Sequence, residues 1–357
     1  MFRIIDEGDV FATRKNCLTC ASRTAVLADG SLVCTFTVNS TGGANDFVTM
    51  ITYSKDGKTW TEAQPVWPAY IGKKSIFVSI RPTGDGRYIL AGVWWDIAYP
   101  GEHFWDDENG TMKENELVYA ISDDGIHFGE PQGVPLPYEG AAEDPGGAMV
   151  DADGTITFIY SPYRATGHKE TADTCCMVMM KSTDGGRTFV SSKFAAAEAP
   201  CEYGEAWLVR LSSGRLFVST WQTASKEAPD QYLISNDGIS FIGPKPHPFR
   251  GQSTAACPGS DDTVYIVYNQ RKESPVGVWI ALEKVGEEEI TLLENQVAWK
   301  AVTTTRSGSS GDFTEWTDFS FGEPHVTVLA DGSLYVVLWY QQEGISGVRY
   351  VRLRRAD

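Results

Sequence analysis

A short turn phrase that recurs four times is the feature that most constrains the fold of this chain. The first copy reads Ser54-Lys-Asp56-Gly57-Lys-Thr-Trp60, and later copies begin at Ser122, Ser182 and Ser235, 53 to 68 residues apart. In each copy an Asp side chain can accept backbone N–H groups across the turn, a Gly supplies positive φ, and an aromatic residue anchors the turn. A repeat of this length is typical of stacked or radial units.

A second turn phrase sets the number of units. Asp-Gly, or a close variant of it, separates two apolar runs at six places, which is a strong hairpin signal. The six turns lie at residues 29–30, 85–86, 153–154, 213–214, 261–262 and 331–332. The flanking runs have the composition of strands, and helical periodicity is almost absent. With the first phrase joining strands three and four, each unit is predicted to be a four-stranded antiparallel blade.

The sequence therefore predicts an all-β fold, a six-bladed β-propeller that forms one domain over residues 1–357. The blades are expected at residues 17–66, 75–136, 143–196, 201–249, 251–302 and 313–357. The sixth blade lacks a fourth strand after residues 347–353. The N-terminal run at residues 2–11 is predicted to supply that strand, which would close the ring and cover an open sheet edge.

Charge and composition narrow the classes of partner. The net charge of −17 argues against nucleic acid and against anionic membrane surfaces. Neither an apolar signal segment nor a membrane-spanning run is found in the sequence, so a cytoplasmic location is expected. Seven cysteines, an odd number, favour reduced thiols over a disulfide framework. No complete set of metal ligands has a recognisable spacing, so neither a metal nor another cofactor is predicted.

The Ser-x-Asp-x-Gly-x-Thr-Trp phrase resembles the Asp-box, or BNR repeat, of the sialidase (neuraminidase) superfamily. The resemblance covers essentially the whole chain and implies a sialidase-like propeller. Sialidases hold the substrate carboxylate with three arginines, and they use an Asp acid/base and a Tyr nucleophile polarised by a Glu. Residues 204–214 look like the glutamate-bearing strand of that family, with Glu205 as the glutamate. Ser22-Arg23 is similar to the phrase that carries the first of the three arginines in that family. By its distance to Gly30, however, the residue at the position of that arginine is Cys20.

Other positions of the sialidase pattern differ in this chain. Trp221 stands where the resemblance leads us to expect an arginine. Asp46 lies in the loop that carries the acid/base Asp of the family, at a different offset from the turn phrase. These departures favour a neutral or uronic sugar over sialic acid as the substrate.

Propeller geometry predicts where the chemistry lies. If both hairpin turns lie at one end of each blade, the segments leading into the inner strands converge at the other end, where ligands are expected. Counting back nine residues from the turn Gly gives Glu205 and Glu323, and counting back seven gives Arg23, Trp207 and His325. These side chains should occupy matching heights around the funnel.

Loops at the same end add further polar and aromatic side chains. Aromatic rings beside carboxylates and amides suit a sugar, whose apolar face stacks on rings while its hydroxyls need hydrogen-bond partners. The predicted substrate-binding residues are Arg23, Glu143, Tyr203, Trp207, Arg164, Trp95, Arg271 and Tyr340. An alternative for the aromatic-rich loop at residues 94–107 is a hydrophobic lid or a contact in a homo-oligomer.

The predicted function is hydrolysis of a glycosidic bond in an oligosaccharide or glycan. Glycosidases usually pair two carboxylates, and Glu205 and Glu323 are the leading pair. Asp144 and Asp46 are alternative acids. His325 is a candidate proton shuttle or substrate clamp. For each of these residues a purely structural hydrogen-bonding role is the alternative.

Two other functions remain open at this stage. The first is a polysaccharide lyase, in which His325 or Tyr203 removes a proton beside a uronate carboxylate that Arg23 neutralises. The second is a carbohydrate-binding propeller without catalysis, which would retain the stacking aromatics. An unsaturated product would indicate the lyase, and affinity without turnover would indicate the binding protein.

Overall fold

The structure is a computed structural model that describes residues 1–15, 17–106, 108–143, 146, 148–167, 173–196, 202–223, 228–271, 273–301 and 320–356. In these ranges the chain forms six four-stranded antiparallel sheets around an axis, together with two short two-stranded ribbons. The first strands of blades one and two, four and five, five and six, and six and one contact each other at the centre of the ring. The predicted all-β six-bladed propeller is thus confirmed.

The strands of each blade follow one another along the chain. Blade one consists of Leu18–Val26, Leu32–Asn39, Val48–Ser54 and Gln64–Pro65. Blade two consists of Lys74–Pro82, Tyr88–Asp96, Glu116–Ser122 and Gln132–Val134. Blade three consists of Met149–Val150, Ile156–Tyr160, Met177–Ser182 and Val190–Phe194.

The second half of the ring repeats this order, except at its last strand. Blade four consists of Tyr203–Arg210, Leu216–Gln222, Gln231–Ser235 and Ile242–Pro246. Blade five consists of Gln252–Pro258, Thr263–Gln270, Gly277–Val285 and Ile290–Lys300. Blade six consists of Ser320–Val328, Leu334–Gln342, Ile345–Arg355 and Phe2–Thr13.

Three small elements complete the described structure. Trp105–Asp106 pairs with Thr111–Met112, and Ala141–Ala142 pairs with Pro162–Tyr163. A single 3₁₀ turn spans Pro68–Tyr70. No helix in the described ranges is long and apolar enough to cross a membrane. The six cysteines in those ranges form no disulfide bond with one another.

The N-terminal strand closes the ring, as the sequence predicts. Phe2–Thr13 pairs antiparallel with Ile345–Arg355, so the first and last parts of the chain share blade six. The N–H of Phe2 donates to Gln296 Oε1 at 2.8 Å, and Gln296 Nε2 donates to the carbonyl of Phe2 at 2.6 Å. The first strand therefore joins blade six to blade five as well as completing its own sheet.

The recurring turns have the hydrogen bonds that their residue types predict. Asp56 Oδ1 accepts the backbone N–H groups of Lys58 and Thr59 at 2.8 and 2.7 Å. The turn carboxylate of blade four, Asp237, accepts the N–H groups of the two equivalent positions, which lowers its pKa to about 2. Gly57 has φ +70° in the first copy. The aromatic residue after each turn packs against a core cluster; these residues are Trp60, Phe128, Phe189 and Phe241.

The core lies between the blades because both faces of each sheet are covered by a neighbour. Leu32–Asn39 and Tyr88–Asp96 are accordingly buried along nearly their whole length, instead of on alternate residues. The cluster formed by blades four, five and six includes Phe2 of the first strand. Such inter-blade packing makes each blade depend on its neighbours for stability.

Candidate functional site

A cavity of about 120 Å³ opens where loops and inner strands meet, at the end of the propeller opposite the Ser-x-Asp-Gly turns. Its walls are largely apolar, and three carboxylates from three different blades lie on it. The lining residues are Leu18, Thr19, Cys20, Asn39, Gly42, Gly43, Phe47, Phe77, Val93, Trp95, Phe104, Met112, Ala142, Glu143, Glu205, Glu323 and Trp339. We call this space the mouth cavity.

An aromatic cluster forms one wall of the mouth cavity. The ring of Phe47 lies 6.0 Å from Trp95 and 5.2 Å from Phe104, measured between centroids, and Trp95 and Phe104 lie 5.3 Å apart. The indole of Trp95 donates to the carbonyl of Lys113 at 3.1 Å, which fixes its orientation. This wall gives a ligand an apolar stacking surface.

Glu102 connects the loop of blade one with the loop of blade two, and these two loops carry the aromatic wall. Its carboxylate accepts a hydrogen bond from Asn45 Nδ2 at 2.9 Å and pairs with Lys113 Nζ at 2.5 Å. The main chains of the loops are also joined, because Phe104 N–H donates to Gly43 O at 2.9 Å. Lys113 and the other donors keep the pKa of Glu102 below its usual value, although burial acts in the opposite direction. The loops of blades one and two therefore form one connected wall.

A bulge at the same place in four inner strands shapes the floor of the site. The register shifts there, and one residue per strand has positive φ. These residues are Ala21 (φ 51°), Glu205 (φ 45°), Ser253 (φ 51°) and Glu323 (φ 40°). A bulge bends its strand and redirects backbone N–H groups and side chains. Two of these four residues, Glu205 and Glu323, are among the three carboxylates that lie on the mouth cavity.

The carboxylates are held by these bulges across blade boundaries. Glu323 Oε2 of blade six accepts the N–H of Ala21 in blade one at 2.5 Å. Glu143 Oε2, which precedes blade three, accepts the N–H of Glu205 in blade four at 2.6 Å. All three glutamates are half-buried. A main-chain donor therefore orients Glu143 and Glu323 on the cavity wall.

A tyrosine contacts one of these carboxylates. The hydroxyl of Tyr163 lies 3.4 Å from Glu143 Oε1. Desolvation, together with the charges of Glu143 and Glu202, raises the pKa of Tyr163 well above its usual value. Tyr163 is therefore a neutral hydrogen-bond donor beside Glu143 at ordinary pH.

Four other side chains fill the axis of the ring. Trp207 is at the centre of this group and is 1 % exposed. The guanidinium groups of Arg23 and Arg81 lie 5.1 and 4.7 Å from the centroid of its ring. The ring of His325 lies 5.4 Å from it, measured between centroids. Arg23 donates to the carbonyl of Glu323 at 2.7 Å. His325 Nδ1 accepts the N–H of Thr24 at 3.4 Å. Burial, aided by the two arginine charges, lowers the pKa of His325 well below its usual value, so the ring is neutral.

The structure thus brings together Glu143, Glu205, Glu323 and Trp95 from the predicted set. Arg23, Trp207 and His325 form the buried plug on the axis and do not line the mouth cavity. Tyr203 is 1 % exposed and donates its hydroxyl to Ala195 O at 2.8 Å.

The remaining predicted residues lie elsewhere. Arg271 is buried and donates to the carbonyl of Phe321, and Tyr340 is buried and donates to Asp9 Oδ1 at 3.1 Å. Arg164 is exposed. Asp46 Oδ1 accepts the N–H of Ser40 at 3.1 Å, within its own loop. Asp144 lies outside the described residues.

Several lining residues were not among the predicted site residues. Asn39, Trp339 and Cys20 lie on the cavity, as do the phenylalanines at 47, 77 and 104. Asn39 and Trp339 lie at or near the ends of second strands, as Trp95 does. The shared position at the ends of these strands is a signal that aligning the six hairpins could have supplied.

Comparison with solved structures finds the same propeller in other proteins. A protein of unknown function from Dyadobacter fermentans has a TM-score of 0.74 and 16% identity, with 99% of each chain covered. The NanB sialidase of Streptococcus pneumoniae has a TM-score of 0.62 and 12% identity, with 99% of this chain and 70% of that chain covered. The leech intramolecular trans-sialidase has a TM-score of 0.63 and 11% identity, with the same coverage.

These similarities show a sialidase-like propeller fold. No family model matches the chain, and a search of curated proteins finds no match. At 11% to 16% identity, the likeness extends to the fold and not to the chemistry of the site.

Proposed function

We propose that this protein is a glycoside hydrolase that cleaves the glycosidic bond of an uncharged sugar at the mouth cavity. The observation that carries the proposal is the arrangement of Glu143, Glu205 and Glu323 around one small cavity with aromatic walls. Paired carboxylates are the usual catalytic groups of glycosidases, and aromatic rings are the usual platforms for sugar faces.

Roles are assigned to two of the three carboxylates, starting from the contact that Glu323 makes. Glu323 accepts the main-chain N–H of Ala21, an arrangement that suits a charged acceptor, so we assign it the role of nucleophile or base. Glu205 is assigned the role of general acid. In the reaction Glu205 protonates the leaving oxygen as its bond to the anomeric carbon breaks. Oxygen from water ends on that carbon, and the proton of the water returns to the carboxylate pair.

The polar lining supports an uncharged substrate. Among the described residues of the mouth cavity, the ionisable groups are the three glutamates and the Cys20 thiol, and no lysine, arginine or histidine lines it. Arg23, which belongs to the buried plug on the axis, donates to the main-chain oxygens of Ser22 and Glu323. Sugar hydroxyls can donate to the carboxylates, whereas the carboxylate of a sialic acid or uronate would be repelled by them.

The positions of the two candidate bases argue against a lyase, which would cleave the glycan by elimination. A lyase would need its base and its charge-neutralising arginine next to a uronate. His325 and Tyr203, the two candidate bases, are 7 % and 1 % exposed and lie off the cavity. Hydrolysis needs only the carboxylates that do lie on it.

The test is a product-resolved screen. The protein is incubated with neutral, uronate-containing and sialylated oligosaccharides, and products are followed by mass and by ultraviolet absorbance. Products that have gained water from a neutral glycan would support the proposal. An unsaturated, absorbing product would replace it with the lyase, and binding without any turnover would replace it with a non-catalytic propeller.

Single variants then test the roles. Glu205→Gln and Glu323→Gln should each lower kcat by about 10²- to 10⁴-fold while the thermal transition stays close to that of the wild type. Glu130→Gln is the matched control, because Glu130 contacts Tyr70 on the surface and does not line the cavity. Full activity in both cavity variants would refute the assignment.

A further inference from the structure

A polar groove lies on the other side of one wall of the mouth cavity. It has a volume of about 530 Å³ and runs between blade two and the loop that leads to blade three. Its lining residues are Lys74, Trp94, Asp96, Glu114, Asn115, Glu116 and the loop at residues 135–140. We call it the side groove.

The wall between the two spaces is one strand thick. Trp94 and Trp95 are consecutive residues of Tyr88–Asp96, so their side chains leave the strand on opposite faces. Trp95 lines the mouth cavity and Trp94 lines the side groove. The mouth cavity and the side groove therefore lie on opposite faces of the same strand.

A pair of hydrogen bonds joins the two spaces at a second point. Asn115, which lines the groove, donates from Nδ2 to the carbonyl of Ala142 at 2.8 Å. Its Oδ1 accepts the N–H of Ala142, also at 2.8 Å, and Ala142 lines the mouth cavity. The relative position of cavity and groove is thus fixed by direct contacts.

Two carboxylates of the side groove, Asp96 and Glu116, have partners within the protein. Lys74 Nζ pairs with Asp96 Oδ1 at 2.8 Å and lies 4.4 Å from the ring of Trp94. The indole of Trp94 donates to Glu116 Oε2 at 2.9 Å. These pairs hold carboxylate oxygens in fixed positions, where they can also accept hydrogen bonds from hydroxyl groups.

Tyr138 supplies an exposed ring at the rim. It is 37 % exposed, and Lys193 Nζ lies 4.9 Å from its centroid. An exposed aromatic ring next to fixed carboxylates combines a stacking surface with hydrogen-bond acceptors, which are the two kinds of contact that a sugar ring uses.

We propose that the side groove binds the further sugar units of an uncharged oligosaccharide whose reacting unit occupies the mouth cavity. Tyr138 stacks on one of these units, and Asp96 and Glu116 accept hydrogen bonds from its hydroxyls. This inference rests on the proposed function. It makes the enzyme selective for oligosaccharides over single-sugar glycosides.

The experiment measures kcat/KM for a cleaved tri- or tetrasaccharide and for the nitrophenyl glycoside of the same sugar. In Tyr138→Ala the ratio of the first value to the second should fall about tenfold, which corresponds to about 1.4 kcal/mol of lost stacking. Tyr53→Ala is the matched control, since Tyr53 is 39 % exposed on a strand that lines neither space. An unchanged ratio in Tyr138→Ala would overturn the inference.

A binding measurement distinguishes failure of this inference from failure of the proposed hydrolysis. Calorimetric titration with neutral oligosaccharides of two to five units is done on the wild type and on Tyr138→Ala. If no glycan is cleaved but the oligosaccharides bind and Tyr138→Ala weakens them about tenfold, the groove stands and the hydrolase fails. If cleavage occurs and affinity does not depend on length or on Tyr138, the hydrolase stands and the groove fails.

Discussion

The closure of the ring by its first strand predicts a large cost for one substitution at the N-terminus. Phe2 is 4 % exposed, belongs to the core cluster of blades four to six, and has its ring 6.2 Å from that of Tyr265. A buried phenylalanine removes about 150–200 Å² from water, or roughly 4 kcal/mol at about 25 cal/mol per Å². Because an end strand can partly relax around the gap, we expect Phe2→Ala to cost about 3 kcal/mol.

The assay is equilibrium unfolding in urea, followed by tryptophan fluorescence. Ile4→Ala is the control, since Ile4 belongs to the same strand but is 51 % exposed, and we expect it to cost less than about 1 kcal/mol. Both variants keep the backbone pairing with Ile345–Arg355. If Phe2→Ala and Ile4→Ala lower the free energy of unfolding equally, the first strand does not stabilise the ring through its buried side chain.

Two further predictions concern buried and ionised groups. His247→Leu should cost about 3–5 kcal/mol in the same titration, because it leaves the fully buried Glu283 carboxylate, now 3.1 Å from the imidazole, without its partner. Adding Glu283→Leu should recover much of that loss, and no recovery would contradict this reasoning. The pKa of Asp85 is lowered to about 2 by the guanidinium two residues on. The contribution of this carboxylate to the free energy of unfolding is therefore present above about pH 4 and is lost as the pH falls toward 2. Asp85→Asn should flatten the decline of the urea midpoint across that range, and an unchanged decline would count against it.

The fold could be predicted because the residues that specify each turn lie close together in the sequence. Each turn is specified by an Asp, a Gly and an aromatic residue within a few positions, and the carboxylate of Asp56 makes the bonds that these residue types predict. The closing strand followed from a count, since the sixth blade lacked one strand. Both inferences needed only the order of residues along the chain.

The site was predicted only in part, for a geometric reason. Counting from the turn Gly placed Glu205 and Glu323 at the cavity, and the same count gave Trp207 and His325 two residues farther along. Two residues along a strand are about 7 Å, which is the difference between the cavity wall and the buried plug on the axis. The bulges that mark this change of depth depend on backbone conformation, which residue types alone did not reveal.

Residues predicted to lie in loops at the mouth were harder to place than the turns. Arg271 follows the second strand of blade five, whereas Tyr340 lies inside the second strand of blade six. The sequence could not show that their side chains turn into the protein to contact Phe321 and Asp9. The contact between Glu143 and the N–H of Glu205 joins residues 62 positions apart. Contacts of this kind are set by how neighbouring blades pack.

The shared sixth blade also has a consequence for rearranging the chain. The N–H of Ala356 donates to the carbonyl of Met1 at 2.8 Å, so the two ends of the described chain touch. A short peptide could join them, and new termini could be opened at a turn such as the one at Gly214, where a Cβ would meet no atom within 4 Å. A circular permutant of this kind would move the closure of the ring from blade six to blade four, whose first strand would become the C-terminal strand. Polypeptide fused at the original ends would leave from the outer edge of blade six, away from the mouth cavity.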